Sequence, residues 1–471
     1  MTRTLSYCFA CLLAFSAIAS RSAAQTPAEN PAAEAAAAAA PAPEPLIGPP
    51  VAGGLTADHV ARRASETSHE LRAKREESAA AEYSVDQARA GFIPHFRGMA
   101  RYSRLSSVDQ PSLGNLPDLR FDAPLNQYSL TASLQLPLSD YALRLPQLYA
   151  AAQHNARAAE LLEKASLQRI ATSARVVYYS WARARLQLEV AERSLAQAQG
   201  HLKDAQTAQA VGTASRADVL AVESQVASAE LMLARAKTAD ETYEHRLRVT
   251  MHDNSGSVYE LGEDLRVVPE LPAAAHTEER SLVARAWQQR LEPKAMQESA
   301  GALKQQAKAQ FSANLPRLDA VGNAQYANPN QRMFPPKDEF KGTWDASLQL
   351  SWTPSDIFGN ESGRSVTLSK ARQLEAERAK LNDDIELEIH SELASLRETE
   401  SALKSSERGL ASAEESYRVR RAMFQNGAAT SVELTDAESE LSRAQMEVIG
   451  ARIDRRIAEA RLLHALGDVE G

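Results

Sequence analysis

Two long stretches of the chain carry apolar residues at a seven-residue repeat. In the first, Leu167, Ala174, Trp181, Leu188, Leu195 and Leu202 recur every seven positions, with Ile170, Val177, Ala184, Ala191, Ala198 and Ala205 at the offset of three. In the second, Ile389, Leu396, Leu403, Leu410, Tyr417 and Phe424 keep the same spacing. Such a period lays apolar side chains along one stripe of an α-helix. Each stripe pauses near a glycine, Gly212 or Gly427, and then resumes. It continues as Val219, Val222, Val226, Ala229, Leu233 and Ala236 in one case, and as Leu434, Ala437, Leu441, Ala444, Val448 and Ala451 in the other. The pattern therefore predicts, twice, a helix of about 60 to 70 residues, a sharp turn where glycine supplies a left-handed residue, and a returning helix. At 1.5 Å per residue each long arm reaches roughly 90 to 105 Å. The stripes are narrow and rich in alanine, which suits helices set closely side by side. On the helices alone, an antiparallel coiled coil is the plainer reading.

Ahead of each helical pair the period changes to two. Tyr128, Leu130, Ala132, Leu134 and Leu136 alternate with Ser129, Thr131, Ser133 and Gln135. Later Trp344, Ala346, Leu348, Leu350 and Trp352 alternate with Thr343, Asp345, Ser347, Gln349 and Ser351. Shorter partners at 96–103 and 318–326 bring the expected strands to four. A small sandwich with one face on a core fits this alternation. Segments of about ten residues with aromatics at their ends also fit transmembrane barrel strands. Four strands cannot close such a barrel, because an open edge in lipid leaves backbone groups unsatisfied, so identical chains would have to share one.

The two halves repeat one another in order. Residues 56–90 read as a helical stretch before Gly-Phe-Ile-Pro at 91–94, and residues 279–313 as another before Asn-Leu-Pro at 314–316. Each proline ends a helix and starts an extended segment. The pentapeptide Ala-Ser-Leu-Gln-Leu occurs at 132–136 and 346–350, an offset of 214, and Gly212 and Glu223-Ser224 recur as Gly427 and Glu438-Ser439, an offset of 215. A register kept to one residue over such a span marks a tandem duplication. The expected organisation is a first repeat at 51–252, an inter-repeat segment at 253–279 and a second repeat at 280–471.

Composition supports the helical blocks. None of the 21 prolines falls between Gln147 and Val268 or after Pro354, and 86 of the 471 residues are alanine. A charged fraction of 24% excludes disorder throughout and a polytopic helical membrane protein. The net charge of −8 speaks against nucleic-acid binding, which usually needs a basic surplus. Arg3, an apolar run at 8–18 and Ser-Ala-Ala at 22–24 predict a cleaved signal peptide over 1–24. Both cysteines, Cys8 and Cys11, lie inside it, so their spacing makes no redox or metal site. Without Arg3 and Arg21 the mature chain has 51 basic and 61 acidic residues. Residues 25–50 hold seven prolines and an alanine tract at 35–40, the composition of a linker.

Catalytic signatures are missing. There is no phosphate-binding glycine loop, no G-x-S-x-G elbow and no H-E-x-x-H, and the Gly359 to Gly363 run has the wrong spacing for an elbow. The ten histidines are scattered, the closest pair, His245 and His252, being seven apart. No enzymatic activity, cofactor or metal site is expected, and Asp383-Asp384 reads as a solvated helix face.

Strands and hairpins in this order, twice over, resemble the TolC-like outer-membrane factor family, the exit ducts of bacterial efflux pumps and type I secretion systems. The resemblance covers 55–471. It is carried by Ala-Arg-Ala-Gly-Phe-Ile-Pro at 88–94, by the two Ala-Ser-Leu-Gln-Leu strands and by the hairpin tips at 211–220 and 426–436. It implies a mainly α fold with a small membrane β part, four strands and long helical hairpins per protomer. It also implies a homotrimer in which a twelve-stranded β-barrel in the outer membrane continues into a twelve-helix barrel across the periplasm. The polar strand faces would line the lumen, 105–125 and 327–342 would be external loops, and 252–279 would join a belt around the helical barrel. Glu433 and Asp436, three apart on one helix face, would form a carboxylate ring at a periplasmic gate. Two unit charges 4 Å apart near a surface interact with about 4 kcal/mol, so such a ring would bind cations or hold protons. Val211, Gly212, Asp218 and Gly427 would dock a periplasmic adaptor, itself joined to an inner-membrane transporter of RND or ABC type. The chain departs from the family pattern at Glu433, where aspartate is common, and at Thr213 and Thr435, where an aliphatic residue is usual. A different class of protein, a soluble periplasmic coiled-coil scaffold without channel activity, also fits the heptads.

Overall fold

The computed structural model describes residues 46–107, 124–334 and 336–468. The expected signal peptide, most of the linker and most of the first external loop lie outside the described residues. The first half comprises α1 (Ala57–Thr67), α2 (His69–Ala90), β1 (His95–Arg104), β2 (Asn126–Leu136), α3 (Leu138–Leu143), α4 (Leu145–Ala210) and α5 (Arg216–Met251). The second comprises α6 (Glu279–Gln289), α7 (Leu291–Ser312), β3 (Arg317–Asn328), β4 (Lys341–Ser351), α8 (Ile357–Gln425) and α9 (Ser431–Leu466). The long arms α4 and α8 have 66 and 69 residues, and both returning helices have 36. No helix among the described residues is long and apolar enough to cross a membrane.

The helical stretches expected at 56–90 and 279–313 are each two helices. Ser68 adopts an extended ψ of 123° and its hydroxyl accepts the Leu71 amide, so one residue ends α1 and caps α2. Arg290, at ψ 135°, separates α6 from α7. Its buried guanidinium donates to Glu292, Glu388 and the Ala465 carbonyl. The breaks let the upstream pieces turn their own apolar faces onto separate cores. Ala57, Val60, Ala61 and Ala64 of α1 join the middle of α4, the end of α5, Tyr259 and Leu265, and Ile449 and Ile453 of α9. Leu282, Val283 and Ala286 of α6 join Ile385, Ile389, Leu393 and Leu396 of α8 and the end of α9. The downstream pieces run along the long arms, α2 against α4 and α7 between α4 and α8.

Beyond Trp181 the alanine positions of the α4 heptad are the buried ones. Ala184, Ala191, Ala198 and Ala205 lie at 3% exposure or less, whereas Leu188, Leu195 and Leu202 are half-buried. Near the tips Ala205 packs against Val219 and Val222 of α5, and Leu441 and Ala444 of α9 pack against Ala413 of α8.

The strands form one antiparallel sheet in the order β1-β2-β3-β4, so the two halves meet at the β2–β3 pair. Directly paired residues share a face. Phe96 opposite Leu134, Leu130 opposite Tyr326 and Ala320 opposite Leu348 lie on one face. Arg97 opposite Ser133, Thr131 opposite Gln325 and Asn323 opposite Asp345 lie on the other. The apolar face is bare: Trp344, Leu348 and Leu350 are 74%, 72% and 69% exposed. A sandwich would bury that face against a core. Edge strands β1 and β4 each have one side unpaired within the chain.

Candidate functional site

The hairpin tips carry most of the residues singled out in the sequence. At the first tip α4 ends in a left-handed glycine, Gly212 at φ 81°. The Gly212 amide donates to the Gln209 carbonyl and the Thr213 amide to Ala208, a Schellman closure. The second tip repeats it: Gly427 has φ 69°, its amide donates to Phe424, and the Ala428 amide donates to Met423. Three residues later each returning helix opens with a capping box. The Ser215 hydroxyl accepts the Asp218 amide, while the Asp218 carboxylate accepts the Ser215 amide at 2.8 Å and its hydroxyl at 2.7 Å. The Thr430 hydroxyl accepts the Glu433 amide, and the Glu433 carboxylate accepts the Thr430 amide at 2.9 Å and its hydroxyl at 3.1 Å. Asp218 and Glu433 thus hold equivalent structural positions. Hydrogen bonds from Ser215 hold the Asp218 carboxyl below the usual range, and those from Thr430 do the same for Glu433.

The tips differ in charge. Glu433 also pairs with Arg420 of α8 at 3.1 Å, a partner the sequence reading missed. Asp436 is exposed on α9, one turn along from Glu433, and its counterpart in the first half is Ala221. Of the two acids assigned to a gate, Glu433 is committed to capping and to an ion pair, and Asp436 presents its carboxylate to solvent. Val211, at the end of α4, is 70% exposed, a bare apolar side chain at the extremity of the first hairpin.

A second polar feature lies between the hairpins. His201 of α4 and Glu438 of α9 are 4% and 6% exposed, with Nδ1 and Oε2 3.5 Å apart. The Phe424 ring stands edge-on to His201 at 5.2 Å. Nearby Tyr417 is half-buried, and burial pushes its hydroxyl upward in pKa. One signal could have found this pair: both residues interrupt buried apolar stripes, His201 between Ala198 and Ala205, and Glu438 between Leu434 and Leu441.

On the sheet, the polar faces expected to line a lumen stand together, with Ser129, Thr131 and Ser133 beside Asn323, Gln325, Asp345 and Gln349. Among the described residues no group of His, Cys, Asp and Glu could hold a metal ion. What the arrangement offers is an unclosed sheet with one apolar and one polar face, continued by long helical hairpins.

A family model described as outer membrane efflux protein matches residues 60–251 and 282–468. Among solved structures the fold is similar to the transmembrane channel protein CusC, with a TM-score of 0.73 at 18% identity over 87% of this chain and 92% of that one. It is similar also to the outer membrane channel MtrE of Neisseria gonorrhoeae in its open state, with a TM-score of 0.72 at 17% identity over 87% and 88% of the two chains. The outer membrane protein VceC of Vibrio cholerae gives 0.71 at 17% identity over 87% and 96%. At these identities the likeness is one of fold. No curated protein matches the chain in sequence.

Proposed function

Because the chain belongs to the outer membrane efflux protein family, we propose that it is the outer-membrane exit duct of a tripartite efflux or type I secretion system. It acts as a homotrimer and conducts passively from the periplasmic side to the outside. The observation that carries this reading is the sheet, whose apolar face is bare and whose two edges are unpaired. Three copies supply each edge with a neighbour, and outer-membrane lipid covers the apolar face, which satisfies the backbone as lipid demands. The helical hairpins then cross the periplasm as a shared helical barrel. The tips, with Val211 exposed beside the first glycine turn, are the docking site for a periplasmic adaptor linked to an inner-membrane transporter. The repeats at 51–252 and 280–471, with 253–279 as a belt between them, are the units of that assembly, preceded by a cleaved leader and a linker.

In this reading Asp436 carries more of the periplasmic gate than Glu433. Three copies of Asp436 face the axis uncompensated, whereas each Glu433 brings Arg420 with it. The experiment is conductance in planar bilayers with divalent cations on the tip side. Asp436→Asn is expected to weaken cation block by about tenfold, equivalent to ~1.4 kcal/mol of lost interaction. Glu433→Gln is expected to change it by less. Equal block in wild type and Asp436→Asn would remove Asp436 from the gate, and a chain that forms no conducting pores would overturn the duct itself.

A further inference from the structure

The polar face of the sheet is unevenly charged. Arg97 and Arg101 of β1 lie on it, opposite Ser133 and Ser129 of β2, and both are exposed. Four residues of strand separate them by about 13 Å. Arg101 donates to the Ser103 hydroxyl at 3.2 Å. Among the described residues no carboxylate pairs with either guanidinium. The other charges of this face are already matched: Arg317 with Asp319 at 3.1 Å, Arg332 with Asp345 at 3.0 Å, and Lys341 with Glu339 at 3.6 Å. Asp345 also accepts from Asn323 at 3.0 Å.

The uncompensated charge therefore sits on an edge strand. The edge that a second copy would bring beside β1 is β4. Its residues on the polar face are Lys341, Thr343, Asp345, Ser347, Gln349 and Ser351, and the carboxylate among them is spent within its own chain. Closing the barrel leaves the arginines free. A water-filled lumen with low-dielectric walls concentrates the field of such groups, and lumen positions of a transmembrane barrel tune selectivity.

We propose that Arg97 and Arg101 of three copies form a two-tier guanidinium collar inside the outer-membrane barrel that binds polyanionic solutes bearing phosphate groups. The proposal rests on the trimeric duct. Guanidinium is the group suited to this ligand, because its planar fork matches phosphate oxygens two at a time, whereas a lysine ammonium acts as a point charge. The collar stands at the opposite end of the duct from the acidic tip. The chain thus carries two selectivity elements of opposite sign, and anionic solutes leaving the helical barrel meet attraction at the exit.

The test uses the full-length protein in planar bilayers, with tripolyphosphate added on the barrel-mouth side. Wild-type pores are expected to be blocked, and Arg97→Gln with Arg101→Gln to raise the half-blocking concentration by about tenfold or more. Arg97→Lys with Arg101→Lys keeps the charge and is expected to retain the anion preference in a KCl gradient while weakening the tripolyphosphate block. Pores that conduct but are blocked equally in wild type and the glutamine variant overturn the collar and leave the duct standing. If the glutamine variant forms no pores, equal block in wild type and the lysine variant overturns the guanidinium site in its place. If wild type itself forms no pores, the duct reading falls and the collar with it.

Discussion

Alanine in place of Trp181 is expected to destabilise the protein by roughly 3–5 kcal/mol, the usual cost of truncating a buried tryptophan. Trp181 is fully buried at the middle of α4. Its ring lies 5.9 Å from Tyr178 and 6.3 Å from Tyr259. Tyr178 in turn donates to the Leu55 carbonyl at 2.9 Å. The same cluster holds α1, the end of α5, the belt around Leu265 and Ile449 and Ile453 of α9. One cavity there loosens parts of both halves. Unfolding of the detergent-purified protein by urea, followed by far-ultraviolet circular dichroism, measures the loss. Trp181→Phe, which keeps an aromatic ring, is expected to recover more than half of it. A loss under about 1 kcal/mol for the alanine variant would show that the belt core does not hold the hairpins together.

His201→Leu is expected to cost about 1–3 kcal/mol in the same measurement, because it leaves the buried Glu438 side chain without its polar neighbour. The double variant His201→Leu with Glu438→Leu is expected to be more stable than that single variant, since no unpaired polar group remains inside. The sign of this coupling is the informative quantity. Costs that simply add would mean that the two side chains, 3.5 Å apart between α4 and α9, do not interact. The seam matters because it ties the outgoing arm of the first hairpin to the returning arm of the second. Along α4 it stands one turn before Ala205, which belongs to the small cluster with Val219 and Val222.

Much of this architecture is written in periodicity. The seven-residue spacing of Ile389, Leu396 and Leu403 predicts a long helix, and all three side chains are buried. The alternation around Leu134 and Leu348 predicts strands with one apolar face, and both residues lie on the bare face of the sheet. Gly212 and Gly427 mark turns because the backbone there is left-handed, which few other residues tolerate. The capping boxes at Ser215-x-x-Asp218 and Thr430-x-x-Glu433 give a structural task to two acids that the family resemblance places in docking and in a gate. Other features are not local. The break at Ser68 has no glycine or proline beside it, and at Arg290 a single proline, Pro293 in the first turn of α7, marks the new start; both breaks let α1 and α6 reach cores built from distant segments. Arg420 meets Glu433 only after the chain has reversed at the tip. His201 and Glu438 belong to different halves, so their pairing follows from how α4 packs on α9. The free charge of Arg97 and Arg101 shows only once the sheet register reveals which other charges are already paired.

The central claim is that this chain completes its sheet only in company, as an outer-membrane trimer. The most direct measurement is the mass of the intact particle extracted by detergent from an outer-membrane fraction of cells expressing the full chain. Three mature chains in one particle are expected, with the three-chain mass persisting at dilution. Recovery of the protein as a single chain, or in the soluble periplasmic fraction without detergent, would contradict the duct and favour a periplasmic helical scaffold.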